Sequence, residues 1–88
     1  MRNHHRTPDT ARAEALFASP VPTGTPLTPS HLDAAVIAAI GRHGGLRQCA
    51  AIMAAEFGDY PETAARRMRW ALRLASARRT EGTSDVEH

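Results

Sequence analysis

The apolar residues of this chain recur at helical spacing in three successive windows. Leu32, Val36, Ala39, Ile40 and His43 share one face, with Ala35 beside them. Leu46, Cys49, Ala50, Met53 and Phe57 form a second stripe. Ala64, Met68, Ala71, Leu72 and Ala75 form a third. No window alternates apolar and polar residues with the β-branched content of a half-buried strand. The pattern predicts an all-α fold: a small three-helix bundle over residues 28–79, with helices Thr28–His43, Leu46–Phe57 and Pro61–Arg78.

Polar punctuation supports these limits. Thr28-Pro29 offers a cap with proline in the first helical position, and Ser30-His31-Leu32-Asp33 offers a rival start. Gly44-Gly45 is the expected stop of the first helix, and Gly58 the expected cap of the second. Asp59-Tyr60-Pro61-Glu62 has the chemistry of a new helix start. Residues 1–27 read as a flexible, proline-rich N-terminal arm. Within it, Pro8–Ser19 can form a short helix capped by Thr7, with a small apolar patch of Ala11, Ala15, Leu16 and Phe17. The stretch SPVPTGTPLTP that follows holds four prolines and a glycine, the composition of an extended linker. Residues 80–88 have no apolar pattern and read as a disordered tail.

Length adds that there is one domain. Its 88 residues bury a modest core, worth roughly 3–5 kcal/mol of net stability. Clusters of alanine reinforce the helical reading. Charge adds more through its placement than its sum. The formal net charge is +2, but Arg66, Arg67, Arg69, Arg73, Arg78 and Arg79 all lie in the last third. At about 100° per residue, Arg66, Arg69 and Arg73 fall in one sector opposite the third apolar stripe.

A helix–turn–helix over Leu46–Arg79, with its turn at Phe57–Pro61, would present that basic face to double-stranded DNA. The candidate nucleic-acid residues are Thr63, Arg66, Arg67, Arg69 and Arg73. The alternative for the same residues is a solvated face, with Glu62 and Arg66 paired at i,i+4. Trp70 and Leu74 border the basic sector. Either Leu16 and Phe17 fold back over them, or the four residues form a protein interface, which would make the chain a homodimer or an adaptor.

No catalytic, cofactor or metal signature emerges. Cys49 is the single cysteine, so no internal disulfide forms, and a small core residue is expected there. His4, His5, His31, His43 and His88 do not share metal-ligand spacing with Cys49 or with carboxylates. Gly44-Gly45 follows no strand and is not a phosphate loop. An enzyme is therefore the least expected class, with no cofactor and no small-molecule substrate. The amino terminus lacks an apolar signal core and no run is long enough to span a membrane, so a cytoplasmic location is expected.

Two resemblances accompany these patterns. ALFAS, RHGG, CAA and EFGDYPETAARRMRWAL, within residues 15–74, resemble a group of small actinobacterial proteins, which implies a source and no activity. AAEFGDYPETAARRMRWAL is loosely similar to the C-terminal helix-turn-helix of sigma factors and related regulators. That second likeness implies a transcription-associated role with the third helix as the reading element.

Overall fold

A computed structural model of the chain describes the backbone of residues 7–87 and the side chains of residues 7–77. It contains four helices: α1 (Pro8–Ala18), α2 (Pro29–His43), α3 (Leu46–Asp59) and α4 (Pro61–Glu87). No strand occurs among the described residues. The three expected helices are α2, α3 and α4. The helix count is corrected to four, because the segment expected as a flexible arm supplies α1 and packs against all three others.

The reason lies in α1's small side chains. Ala13, Glu14, Ala15, Leu16 and Phe17 are buried in succession, so α1 is enclosed all round its second half. Alanines at 13 and 15 let neighbouring helices approach closely from different sides. A helix surrounded this way shows no single apolar stripe. Leu16 and Leu32, both fully buried, join Val36, Ala39, Cys49, Trp70, Ala71 and Ala75 in one core.

Helix starts follow the Thr-Pro pairs. Thr7 Oγ1 accepts from Thr10 N at 3.1 Å, and Thr28 Oγ1 accepts from His31 N at 3.1 Å. The second bond decides between the rival starts of α2 in favour of Thr28. At the far end of α2, Gly44 takes φ +88° and both Gly44 N and Gly45 N donate to the Ile40 carbonyl. That left-handed conformation is what glycine accepts cheaply.

The α3–α4 connection differs from the expected turn. Gly58 does not cap α3; it lies within the helix without a positive φ. Tyr60 alone separates α3 from α4, with φ −139° and ψ 68°. Pro61 explains this, because a residue preceding proline is pushed out of the α region. Tyr60 N still donates to the Glu56 carbonyl, and the Tyr60 carbonyl accepts from Ala64 N, so one residue closes one helix and opens the next. Beyond it α4 runs past the expected end at Arg78 to Glu87, through most of the segment expected as a disordered tail. That extension holds no proline to stop it.

The expected N-terminal tail at residues 1–6, His88, and the side chains of Arg78 and Arg79 lie outside the described residues. No helix among the described residues is long and apolar enough to cross a membrane.

Candidate nucleic-acid interface

The apolar side of α4 fixes which arginines reach solvent. Ala64, Ala71 and Ala75 are buried, and Met68 and Leu72 are half-buried against the core. Taking that side as the inward direction, Arg66, Arg69 and Arg73 emerge within about 60° of one another on the opposite side. All three are exposed. Among the described residues, none of them meets a carboxylate or a hydrogen-bond acceptor, and Glu62 does not pair with Arg66. Glu62 and Thr63 are also exposed, in the first turn of the same helix. From Arg66 to Arg73 the axis advances about 10.5 Å.

Arg67 has a different role, although the sequence groups it with its neighbours. It is half-buried, and its guanidinium is committed within the chain. Nε donates to the Phe17 carbonyl at 2.9 Å. Nη1 donates to the Val21 carbonyl at 2.8 Å and to Thr23 Oγ1 at 2.9 Å. Nη2 donates to the Ser19 carbonyl at 2.9 Å and to the Leu16 carbonyl at 3.3 Å. The same group lies 5.4 Å from the Phe17 ring centroid and 5.0 Å from that of Trp70, a cation–π arrangement on two rings. Burial lowers its pKa below the ordinary guanidinium value, with the Glu56 carboxylate acting in the opposite sense. Arg67 therefore does not stand with the nucleic-acid candidates.

The need for this clamp arises at the end of α1. A helix leaves its last carbonyls without intrahelical partners. Here the following residues are Ser19-Pro20-Val21-Pro22, and the two prolines have no N–H to offer. Ser19 closes one carbonyl locally, its Oγ donating to Leu16 O at 2.6 Å. The others are reached from distant helices. His43 Nε2, at the end of α2, lies 3.0 Å from the Ala18 carbonyl and donates to it when that nitrogen carries the proton. Arg67 serves Leu16, Phe17 and the loop beyond. α1 has no basic residue in its own last turn, so Arg67 and His43 also complement its dipole. Beside the clamp lies an open groove of about 390 Å³, lined in part by Phe17, Pro20, Pro22, Ile52 and Glu56.

The four residues expected as either core or protein interface come together inside the molecule. Leu16, Phe17 and Trp70 are buried, and Leu74 is half-buried against the same core. Trp70 Nε1 donates to the Thr25 carbonyl at 3.0 Å, which binds the proline-rich segment to α4. Phe17 also stacks on Phe57, with centroids 6.3 Å apart. An adaptor surface anchored on Trp70 would have to extract it from this packing. Cys49 is fully buried, its thiol 3.8 Å from the Ala39 carbonyl. Burial raises its pKa above the ordinary 9.0, and the Glu14 carboxylate adds to the rise. Among the described residues, no three His, Cys, Asp or Glu side chains converge on a common point.

The clamp was the feature that sequence reasoning missed, although a signal existed. Arg67 stands i+3 from Ala64 and i−4 from Ala71, inside the apolar arc and about 100° from Arg66. Comparisons with protein-family models, curated proteins and solved structures found no match for this chain.

Proposed function

We propose that the protein is a small DNA-binding protein that contacts the duplex backbone through the outer face of α4. The observation that carries this reading is the exposure of Arg66, Arg69 and Arg73 in one narrow sector, without intramolecular partners among the described residues. Guanidinium groups suit phosphate oxygens because their planar fork donates two parallel hydrogen bonds. Over the roughly 10.5 Å spanned by these residues, a duplex presents about six backbone charges. Three arginines have ample partners in that length. The likeness of residues 54–72 to regulator helix-turn-helices favours the same helix.

The single-residue junction at Tyr60 differs from the usual three- or four-residue turn. The proposed contact is accordingly with phosphates rather than base edges, and it discriminates little between sequences. Fluorescence anisotropy with short duplexes of differing sequence tests this. Three phosphate contacts give a log–log salt slope of about −2.7, so raising salt fourfold weakens binding about 40-fold. Replacing Arg66, Arg69 and Arg73 together by Gln abolishes the salt-dependent binding while leaving helicity intact. Retention of full affinity by that folded variant, or no binding by the parent at low salt, refutes the reading.

A further inference from the structure

Tyr60 is 61% exposed, the most open aromatic side chain among the described residues. Its ring has no hydrogen-bond partner, no stacked ring and no place in the core among those residues. Its backbone, by contrast, is held on both sides. Tyr60 N donates to the Glu56 carbonyl at 2.7 Å, and the Tyr60 carbonyl accepts from Ala64 N at 2.9 Å. A φ of −139° is open to any side chain, so the junction itself does not call for an aromatic. A tyrosine on a fixed backbone offers a flat apolar face with only two side-chain torsions to order.

The ring adjoins the arginine face. Tyr60, Pro61, Glu62 and Thr63 line an open cleft of about 290 Å³. Glu62 and Thr63 stand four and three residues before Arg66, on the same side of α4. From Glu62 to Arg66 the axis advances about 6 Å, less than two base steps of a duplex strand. A strand whose phosphates meet Arg66, Arg69 and Arg73 therefore reaches the cleft with its next nucleotides. Glu62 repels a phosphate there, but its carboxylate accepts from the exocyclic amino group of a base. Bases stack on aromatic rings of this kind only when they are free of the duplex.

We propose that Tyr60 and Glu62 hold one unpaired, amino-bearing base where duplex DNA adjoins a single strand. This rests on the DNA-binding reading, because Arg66, Arg69 and Arg73 hold the adjoining duplex. Fluorescence anisotropy at low salt compares a blunt duplex with the same duplex carrying a short cytosine or thymine overhang, at the 5′ or the 3′ end. The better cytosine overhang is bound about tenfold more tightly than the blunt duplex, on the scale of one stacked base. Tyr60→Ala loses that gain while keeping its blunt-duplex affinity and an unchanged circular dichroism spectrum. Tyr60→Phe retains most of it. The matching thymine overhang is bound about threefold less tightly than cytosine, on the scale of one hydrogen bond, and Glu62→Ala removes the difference. A blunt duplex bound as well as either overhang overturns the proposal and leaves the phosphate contacts standing. So does a Tyr60→Ala variant that keeps the gain. Equal binding of cytosine and thymine overhangs by the parent removes Glu62 from the site. No binding of any probe refutes the DNA-binding reading and this proposal together.

Discussion

Removing the Arg67 guanidinium should cost this fold a large share of its stability. In the Arg67→Ala variant five hydrogen bonds disappear, four of them to carbonyls at the end of α1 and in the loop after it. Hydrogen bonds involving a charged group contribute roughly 1.5–3 kcal/mol each when measured singly, and such values do not add. The group is only half-buried, so water replaces part of what is lost. The cation–π contacts with Phe17 and Trp70 contribute about 0.5–1 kcal/mol apiece. A net loss of about 3 kcal/mol follows. The whole domain is worth roughly 4–13 kcal/mol by its length, with the lower end expected for so small a core. At about 4–8 °C per kcal/mol, the melting temperature should fall by about 12–24 °C.

Thermal and urea unfolding followed by circular dichroism measure this directly, with Arg66→Ala and Arg69→Ala as neighbouring controls. Those exposed substitutions should stay within about 0.5 kcal/mol of the parent. Arg67→Lys should recover less than half of the loss, since an ammonium cannot reproduce the planar fork that serves Phe17, Val21 and Ser19 together. A loss below about 1 kcal/mol for Arg67→Ala, on the scale of one ordinary hydrogen bond, would refute the clamp. Equivalence of Lys and Arg at this position would refute its geometric part.

Two further outcomes follow from the backbone and from the thiol. Gly41→Ala should stabilise the chain by about 0.5–1 kcal/mol in the same urea assay, because it lies within α2 with open space around it. Gly44→Ala should instead destabilise by about 1–2 kcal/mol, because φ is +88° there. The Cys49 thiol should resist a thiol reagent until the chain opens, so its labelling rate should rise with urea in step with global unfolding. Its raised folded pKa means the native state holds the proton more tightly than the unfolded chain. That contribution is fully present below pH 9.0 and declines as pH climbs from there through the folded value. Cys49→Ala should flatten this part of the alkaline stability profile, and an unchanged profile would refute the assignment.

The helices that carry one apolar stripe were legible from sequence. Leu32, Val36 and Ala39 on α2, and Ala64, Ala71 and Ala75 on α4, are buried as their spacing predicts. The Thr-Pro starts and the Gly44-Gly45 stop are local signals and were equally readable. α1 was harder to place, because its burial depends on helices that lie later in the chain. Glu14 is buried between Ala13 and Ala15, which breaks any stripe a periodicity search would find. Gly58 misled for the opposite reason: its local chemistry permits a cap, but Pro61 sets the boundary two residues later at Tyr60. On α3, Leu46 and Phe57 belong to the apolar stripe by spacing and yet remain 39% and 36% exposed. Phe57 is covered only in part, where Phe17 stacks on it.

The outward arginine face and the end of α1 are linked by one constraint. Pro20 and Pro22 remove the N–H groups that would finish α1 locally, so a donor must come from elsewhere in the chain. Arg67 supplies most of it, and it can do so only if α4 is rotated to bring this residue toward Phe17. That rotation leaves no choice for Arg66, Arg69 and Arg73, which lie between about 200° and 260° further round the helix from Arg67. The packing of Ala64, Ala71 and Ala75 requires nearly the same setting, so core and clamp agree. A change at Pro20 that restored a local N–H donor would relax one of these two constraints and leave the other. The arginine face should therefore keep its direction in such a variant, while Arg67 becomes less important to stability.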